Sequence, residues 1–163
     1  MIVEKTGVTK PTLYHYFGSK LGLFETLVAE RGEHLIHLIR EASLYAGDVT
    51  QSIQNVVQAY FDFAKNHPTF YRLLISTWFS PPSSEYFTSV QHLLHQQHLL
   101  LEDMFRHAAN NHGNMKGRHQ QYAISLKGMI DTYIGMAING YVDLQKDDMK
   151  YRLIHQFMHG IFS

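Results

Sequence analysis

Apolar residues recur along this chain at three- and four-residue intervals nearly everywhere, and no stretch alternates with period two for long enough to make a strand. Ile53, Val56, Val57, Tyr60, Phe61 and Ala64 share one face of a helix that starts at Asp48 or Thr50 and ends near Asn66, before His67-Pro68. Pro68 to Phe79 reads as a short helix that is apolar nearly all round, and so buried on most sides. Pro81-Pro82-Ser83-Ser84 is a loop, and a long helix follows from Ser84 to Ala109. Val90, Leu94, Leu101, Met104 and Ala108 line one face of it, whereas Leu93, Leu99 and Leu100 lie elsewhere. A helix apolar on two sides belongs inside a bundle. A polar, glycine-containing loop from Asn110 to Gly117 leads to helices over Arg118–Leu144 and Asp147–Phe162. The pattern predicts an all-α fold.

The first residues predict two short helices joined by a tight turn. The first ends at Gly7, and Val8 is the apolar residue of the turn. Thr9 is a good N-cap and Pro11 falls in the first turn of the second helix, Lys10 to Phe17, where a missing N–H costs nothing. Gly18 ends that helix, and Ser19 caps a long one from Lys20 to Tyr45, which Gly32 is expected to bend. This is the layout of a helix-turn-helix. On the second short helix only Leu13 and Phe17, four apart, make an apolar face. Lys10, Pro11, Thr12, Tyr14, His15 and Tyr16 cover the rest. A helix in a major groove needs such a surface: long donors for phosphates and short groups near base edges.

Composition narrows the choice. With 163 residues, 45% hydrophobic and 13% aromatic, the chain suits one domain or one domain with a small appendage, and is not disordered as a whole. The absence of cysteine excludes disulfides, thiolate zinc sites, iron–sulfur clusters and cysteine nucleophiles. Lys+Arg and Asp+Glu are equal at 14 each, so any affinity for nucleic acid must come from a local patch. The first 20 residues provide one, with Lys5, Lys10 and Lys20 against Glu4 alone. Met1 to Lys5 carries charge and no apolar run follows, so no secretory signal is expected. The most apolar long stretch, Tyr122 to Val142, contains Lys127 and Asp131, which marks a core helix rather than a membrane span. Among the 12 histidines, His92, His95 and His98 are spaced three apart, as are His34 and His37. No Glu-x-x-His occurs and no acidic residue lies within 92–101, so these are expected to be solvated rather than metal ligands. Neither a Ser/His/Asp arrangement nor a phosphate loop is present. No cofactor and no enzymatic activity are expected.

The run Gly7-Val8-Thr9-Lys10-Pro11-Thr12-Leu13-Tyr14-His15-Tyr16-Phe17-Gly18-Ser19-Lys20, with Leu23-Phe24 following, resembles the DNA-binding signature of the TetR/AcrR family of bacterial transcriptional regulators. The usual family run is Gly-Val-Ser-Lys-Gly-Thr-Leu-Tyr-His-Tyr-Phe-x-Ser-Lys. The resemblance implies that Thr9 caps the recognition helix, that Lys10 and Tyr14 face the phosphates, and that Pro11, Thr12 and His15 lie toward base edges. Tyr16 would flank the groove or support the core, and Lys20 would meet a phosphate beside the N-terminus of the long helix. Pro11 departs from the usual Gly or Ala, and Leu21-Gly22 replaces an acidic residue, which should weaken the cap of the long helix. Against the family's three-helix domain, the chain begins inside the second helix. The resemblance therefore implies residues 1–24 as a partial helix-turn-helix and 25–163 as an effector-binding and dimerisation domain. The expected function is a cytoplasmic, homodimeric repressor of a palindromic double-stranded operator, released by a small hydrophobic or aromatic effector. The other reading is a ligand-binding and dimerisation module that has lost DNA binding through N-terminal truncation.

Residues elsewhere fit both parts of such a domain. Tyr60, Trp78, Phe79, Leu94, Gln97, His98, Leu101, Met104, Met129 and Tyr133 are candidates for the wall of an effector cavity. Gln97 and His98 would orient the ligand, and with no charged residue in the set a neutral or weakly polar effector is expected. Ser125, Gly128, Thr132, Gly135 and Asn139 form a stripe of small or short residues on which another helix can sit close. With Ile154, Phe157, Met158 and Ile161 of the last helix, that stripe is the expected dimer interface.

Overall fold

The computed structural model describes residues 9–160, apart from the side chains of Tyr14 and Asp147. The expected helix ending at Gly7, the turn at Val8, the side chain of Tyr14, and Ile161 and Phe162 lie outside the described residues. Among the described residues the secondary structure is helical, with no strand. The helices are α1 (Lys10–Phe17), α2 (Lys20–Ala42), α3 (Val49–Asn66), α4 (Pro68–Trp78), α5 (Glu85–Ala108), α6 (His119–Ile138) and α7 (Asp147–His159), with a short 3₁₀ turn at Gly113–Met115. No helix among them is long and apolar enough to cross a membrane.

Capping sets the starts. The Thr9 hydroxyl accepts the Thr12 N–H, the Ser19 hydroxyl the Gly22 N–H at 3.0 Å, and the Asp48 carboxylate the Gln51 N–H at 3.0 Å. The ends of the last two helices differ from the sequence expectation. Helix α6 stops at Ile138 rather than Leu144, because Gly140 adopts φ 80° and closes a Schellman motif. Tyr141 N–H donates to the Met136 carbonyl (2.9 Å) and Gly140 N–H to that of Ala137 (3.0 Å). Helix α7 stops at His159, before Gly160.

Helix α5 stands in the middle and packs against α2, α3, α4 and α6. Its Val90, Leu93, Leu101, Met104, Phe105 and Ala108 are buried, as the two-sided pattern requires. Along α2 the seam runs in register: Phe24 meets Tyr86 edge-on at 5.0 Å, Ser89 hydroxyl donates to Glu25, and Gly32 lies against Leu93. Helix α2 runs unbroken through Gly32, from Lys20 to Ala42. A side chain there would collide with α5, since a Cβ on Gly32 would sit 2.8 Å from Leu93 Cδ2. Helix α3 covers the other side with Val56, Val57, Tyr60 and Phe61, and α7 adds Leu153 and Ile154.

That close approach can be tested. Gly32→Ala gains helix propensity, worth about 1 kcal/mol, and displaces only the flexible end of Leu93. Gly32→Ile must push α2 and α5 apart and should cost about 1–3 kcal/mol more than the alanine variant. Urea unfolding measures the difference. Equal midpoints for the two variants would show that the seam is looser than described.

Candidate functional site

Two regions present chemistry to solvent. The first is α1. Thr9, Lys10, Pro11, Thr12, His15, Tyr16 and Lys20 are exposed, whereas Leu13 and Phe17 are partly buried. Helix α1 packs on α2. No acidic residue occurs between Thr9 and Phe24, so the exposed face carries Lys10 and Lys20 without a carboxylate in that stretch. The Thr9 and Thr12 hydroxyls are hydrogen-bonded to each other at 2.8 Å, which fixes both at the N-terminal end of α1, where backbone N–H groups point outward. Tyr16 is 83% exposed, so of its two expected roles it does not support the core, although its ring touches that of Phe17 at 5.1 Å.

At the junction between α1 and α2 the Ser19 hydroxyl accepts the Gly22 N–H, and no acidic residue stands in the first turn of α2 to add to that cap. Gly22 has its own reason: a Cβ there would lie 2.3 Å from the Phe17 carbonyl oxygen, which is backbone and cannot step aside. The glycine lets α1 fold back closely onto α2.

The second region is a cavity of about 770 Å³ between α4, α5 and α6, within the range of small-molecule sites. Trp78, Phe79, Leu94, Gln97 and His98 lie in its wall as expected from sequence, together with Leu74, Ile75, Phe87, His95, Ile124 and Met136. Trp78 is 54% and Phe79 81% exposed, so the cavity opens to solvent at the end of α4. Five candidates are elsewhere for clear reasons. Leu101 and Met104 are fully buried on the part of α5 that faces the core, while Met129 and Tyr133 pack on the core from α6 without reaching the cavity. Tyr60 is also fully buried behind the wall, and its hydroxyl donates to Gln97 Oε1 at 3.1 Å. The Gln97 amide donates in turn to the Leu93 carbonyl at 3.3 Å, and His98 pairs with Glu102 at 3.3 Å. The two groups expected to orient a ligand are thus already engaged within the protein.

The polar centre of the cavity is one that sequence reasoning passed over. Lys127 and Asp131, one turn apart on α6, both line it, which corrects the expectation of an uncharged wall. The Lys127 ammonium donates to both Asp131 oxygens at 2.6 and 2.5 Å, and the Tyr71 hydroxyl donates to Asp131 Oδ1 at 2.6 Å. The ammonium also lies 5.2 Å from the Tyr60 ring centre and 5.9 Å from that of Tyr71. The available signal was the i, i+4 spacing of opposite charges inside an otherwise apolar helix. Gly128, Thr132 and Gly135 of the small-residue stripe also belong to the cavity wall, while Ser125 and Asn139 are exposed beside it. Ile154 is 5% exposed and Phe157 packs against Phe105 at 6.0 Å, so both contribute to this chain's own core, whereas Met158 is exposed. Among the described residues no group of three His, Cys, Asp or Glu side chains is placed to hold a metal ion.

Burial, and then the charge of Asp131, push the Tyr60 and Tyr71 hydroxyls well above the ordinary tyrosine value of 10. In the unfolded chain they ionise near 10. The stability tied to their protonated state is therefore complete below that pH and is lost as pH rises beyond it. The urea midpoint should fall steeply above about pH 10. Tyr71→Phe should start lower, by about 1.5–3 kcal/mol for a hydrogen bond to a charged group, and fall less steeply. A midpoint that stays level through this range would contradict the buried arrangement.

Comparison with known proteins bears on α1. Residues 1–27 match the family described as "Bacterial regulatory proteins, tetR family". The HTH-type transcriptional activator FasR of Mycolicibacterium smegmatis is 34% identical over 73 residues, covering 45% of this chain and 33% of that protein. The nucleoid occlusion factors SlmA of Pasteurella multocida and Mannheimia succiniciproducens are 30% and 29% identical over 73 residues, covering 37% and 34% of their lengths. The chain spans about a third of the length of the relatives it matches. The exposed, capped α1 thus lies within the residues, 1–27, that are similar to the tetR family of bacterial regulatory proteins.

Proposed function

We propose that this protein is a dimeric, DNA-binding transcriptional regulator in which α1 enters the major groove of a palindromic operator and a small apolar effector occupies the cavity. The observation that carries this reading is the exposed face of α1, with Lys10, Thr12 and His15 outward and no carboxylate from Thr9 to Phe24. Lys10 and Lys20 contact phosphates, and Thr12 and His15 read base edges. Two half-sites one helical turn apart, about 34–36 Å, suit a two-fold dimer. For the dimer we assign the outer surface of α6 and α7, where Ser125, Asn139 and Met158 are exposed beside Ile124, Met136, Tyr141 and Tyr151. Residues 1–24 form the DNA-binding part and the remainder the effector and dimer part. Such a protein acts in the cytoplasm, where the operator is.

The coupling follows from the packing. Phe87, Gln91, Leu94 and His95 of α5 face the cavity, while Tyr86, Ser89 and Leu93 of the same helix contact α2. An effector that moves α5 moves the support of α1, so effector and operator weaken each other's binding by the same factor. We assign repression released by effector as the sign. A reporter gene behind the operator reads that sign directly, with activation, as in the name of the M. smegmatis relative, as the opposite result.

Two measurements test the proposal. In a gel-shift titration, Lys20→Ala should weaken binding to all sequences alike and lower the slope of log affinity against log salt by about 1. A loss confined to one base pair would remove Lys20 from the phosphate contacts. Trp78 is the sole tryptophan and stands in the cavity wall. Its fluorescence should change on addition of apolar aromatic compounds, saturate at one site per chain, and do so over the concentrations that release the operator. Saturation without operator release would separate the cavity from DNA binding.

A further inference from the structure

The chemistry of the cavity's polar centre narrows the occupant. The walls are mainly apolar, with Gln91, His95, Gln97, His98 and Thr132 among them, and carry an ammonium and a carboxylate at one place, where Lys127 and Asp131 neutralise each other through a two-pronged contact. The two members are not equally available. The Lys127 side chain is 17% exposed and two of its three N–H donors point at Asp131, beside two tyrosine rings. The Asp131 side chain is 32% exposed. Its Oδ1 accepts from Tyr71 and Lys127, while Oδ2 accepts from Lys127 alone, and a carboxylate offers about four acceptor positions. The spare capacity facing the cavity is that of an acceptor.

From this we infer that the cavity selects an uncharged apolar molecule bearing a hydroxyl or N–H donor, which hydrogen-bonds to Asp131. The inference rests on the reading of the cavity as the effector site. A carboxylate head meets Asp131 first and finds Lys127 already used. An ammonium head gains Asp131 and is repelled by Lys127 within the same contact. Either ion also gives up its hydration on entering a wall of Leu74, Trp78, Leu94 and Ile124. A neutral donor avoids these costs and forms a hydrogen bond to a charged acceptor, among the stronger kinds.

The test uses four compounds sharing one body: 4-heptylphenol, 4-heptylbenzoate, 4-heptylbenzylammonium and 1-heptyl-4-methylbenzene. They are titrated at pH 7 into the full chain, with Trp78 fluorescence as readout. The phenol should bind about tenfold or more tighter than the hydrocarbon, and tighter than either ion. The double variant Lys127→Met/Asp131→Leu, which removes both charges and keeps the volume, should bring phenol and hydrocarbon to within about twofold. The single variant Asp131→Asn frees the Lys127 charge and should turn the preference toward the benzoate. Tightest binding of the benzoate or the ammonium by the unaltered protein would overturn the inference. Equal binding of all four would do the same while leaving the cavity as an effector site. If none binds, the reading of the cavity itself falls, and this inference with it.

Discussion

The architecture depends on one constraint: α5 is apolar on more than one side and must be surrounded. Leu93 lies against Gly32 of α2, Phe105 meets Tyr122 of α6 and Phe157 of α7, and Val90, Leu101 and Met104 are fully buried. Burying each such side chain contributes about 1.5–3 kcal/mol, so α2, α4 and α6 gather on α5, while α3 packs mainly on α2, α4, α6 and α7. The approach of α2 is close because Gly32 presents no side chain to Leu93. The cavity lies where α5 turns a third, mixed face outward, bearing Gln91, Leu94, His95 and His98. Here α4 and α6 stand apart instead of closing over it.

The same need for partners explains the charged group in the wall. Lys127 and Asp131 each take a position on α6 next to the fully buried Leu126 and Ile130. Neither could be accommodated alone at a site so close to the core. Asp131 also serves Tyr71, whose hydroxyl would otherwise be a buried donor without an acceptor, and Lys127 lies near the tyrosine rings. One ion pair thus lets two large tyrosines enter the interior with their polar ends satisfied, Tyr60 through Gln97 and Tyr71 through Asp131.

How far these features can be read in the sequence varies with their physical origin. Periodicity and capping are local, so Thr9, Ser19, Asp48 and Pro68 located helix starts within a residue or two. The ends were less legible. Helix α6 stops at a single left-handed glycine, Gly140, in a stretch whose apolar pattern continues beyond it. In the cavity, Trp78, Phe79 and Leu94 lie on the wall, but Met104 and Leu101, on the same helix as Leu94, do not. Which residues of a two-sided helix face a void depends on where its neighbours diverge, and this is a tertiary property. Gln97 shows the same limit: its polarity was visible, whereas its engagement with Tyr60, 37 residues away, was not. The small-residue stripe of α6 carried a real signal of close or open space. It could not say whether a helix or a cavity lies opposite, and for Gly128, Thr132 and Gly135 it is the cavity.

The absent side chain at Gly32 also has a mechanical meaning. Helix α2 is 23 residues long, and Gly32 lies near its middle, in close contact with Leu93 of α5. A rigid rod resting on such a point is a lever with its fulcrum at the glycine. From Gly32 to Lys20 the arm is ~18 Å at 1.5 Å per residue, and a tilt of ~5° would swing its tip by ~1.6 Å. The tight fold at Gly22 leaves little slack between that tip and α1, so the swing would be passed on nearly undiminished. Hydrogen-bond lengths tolerate only ~0.5 Å of variation. A repacking too slight to disturb the core could therefore misalign every contact that α1 makes.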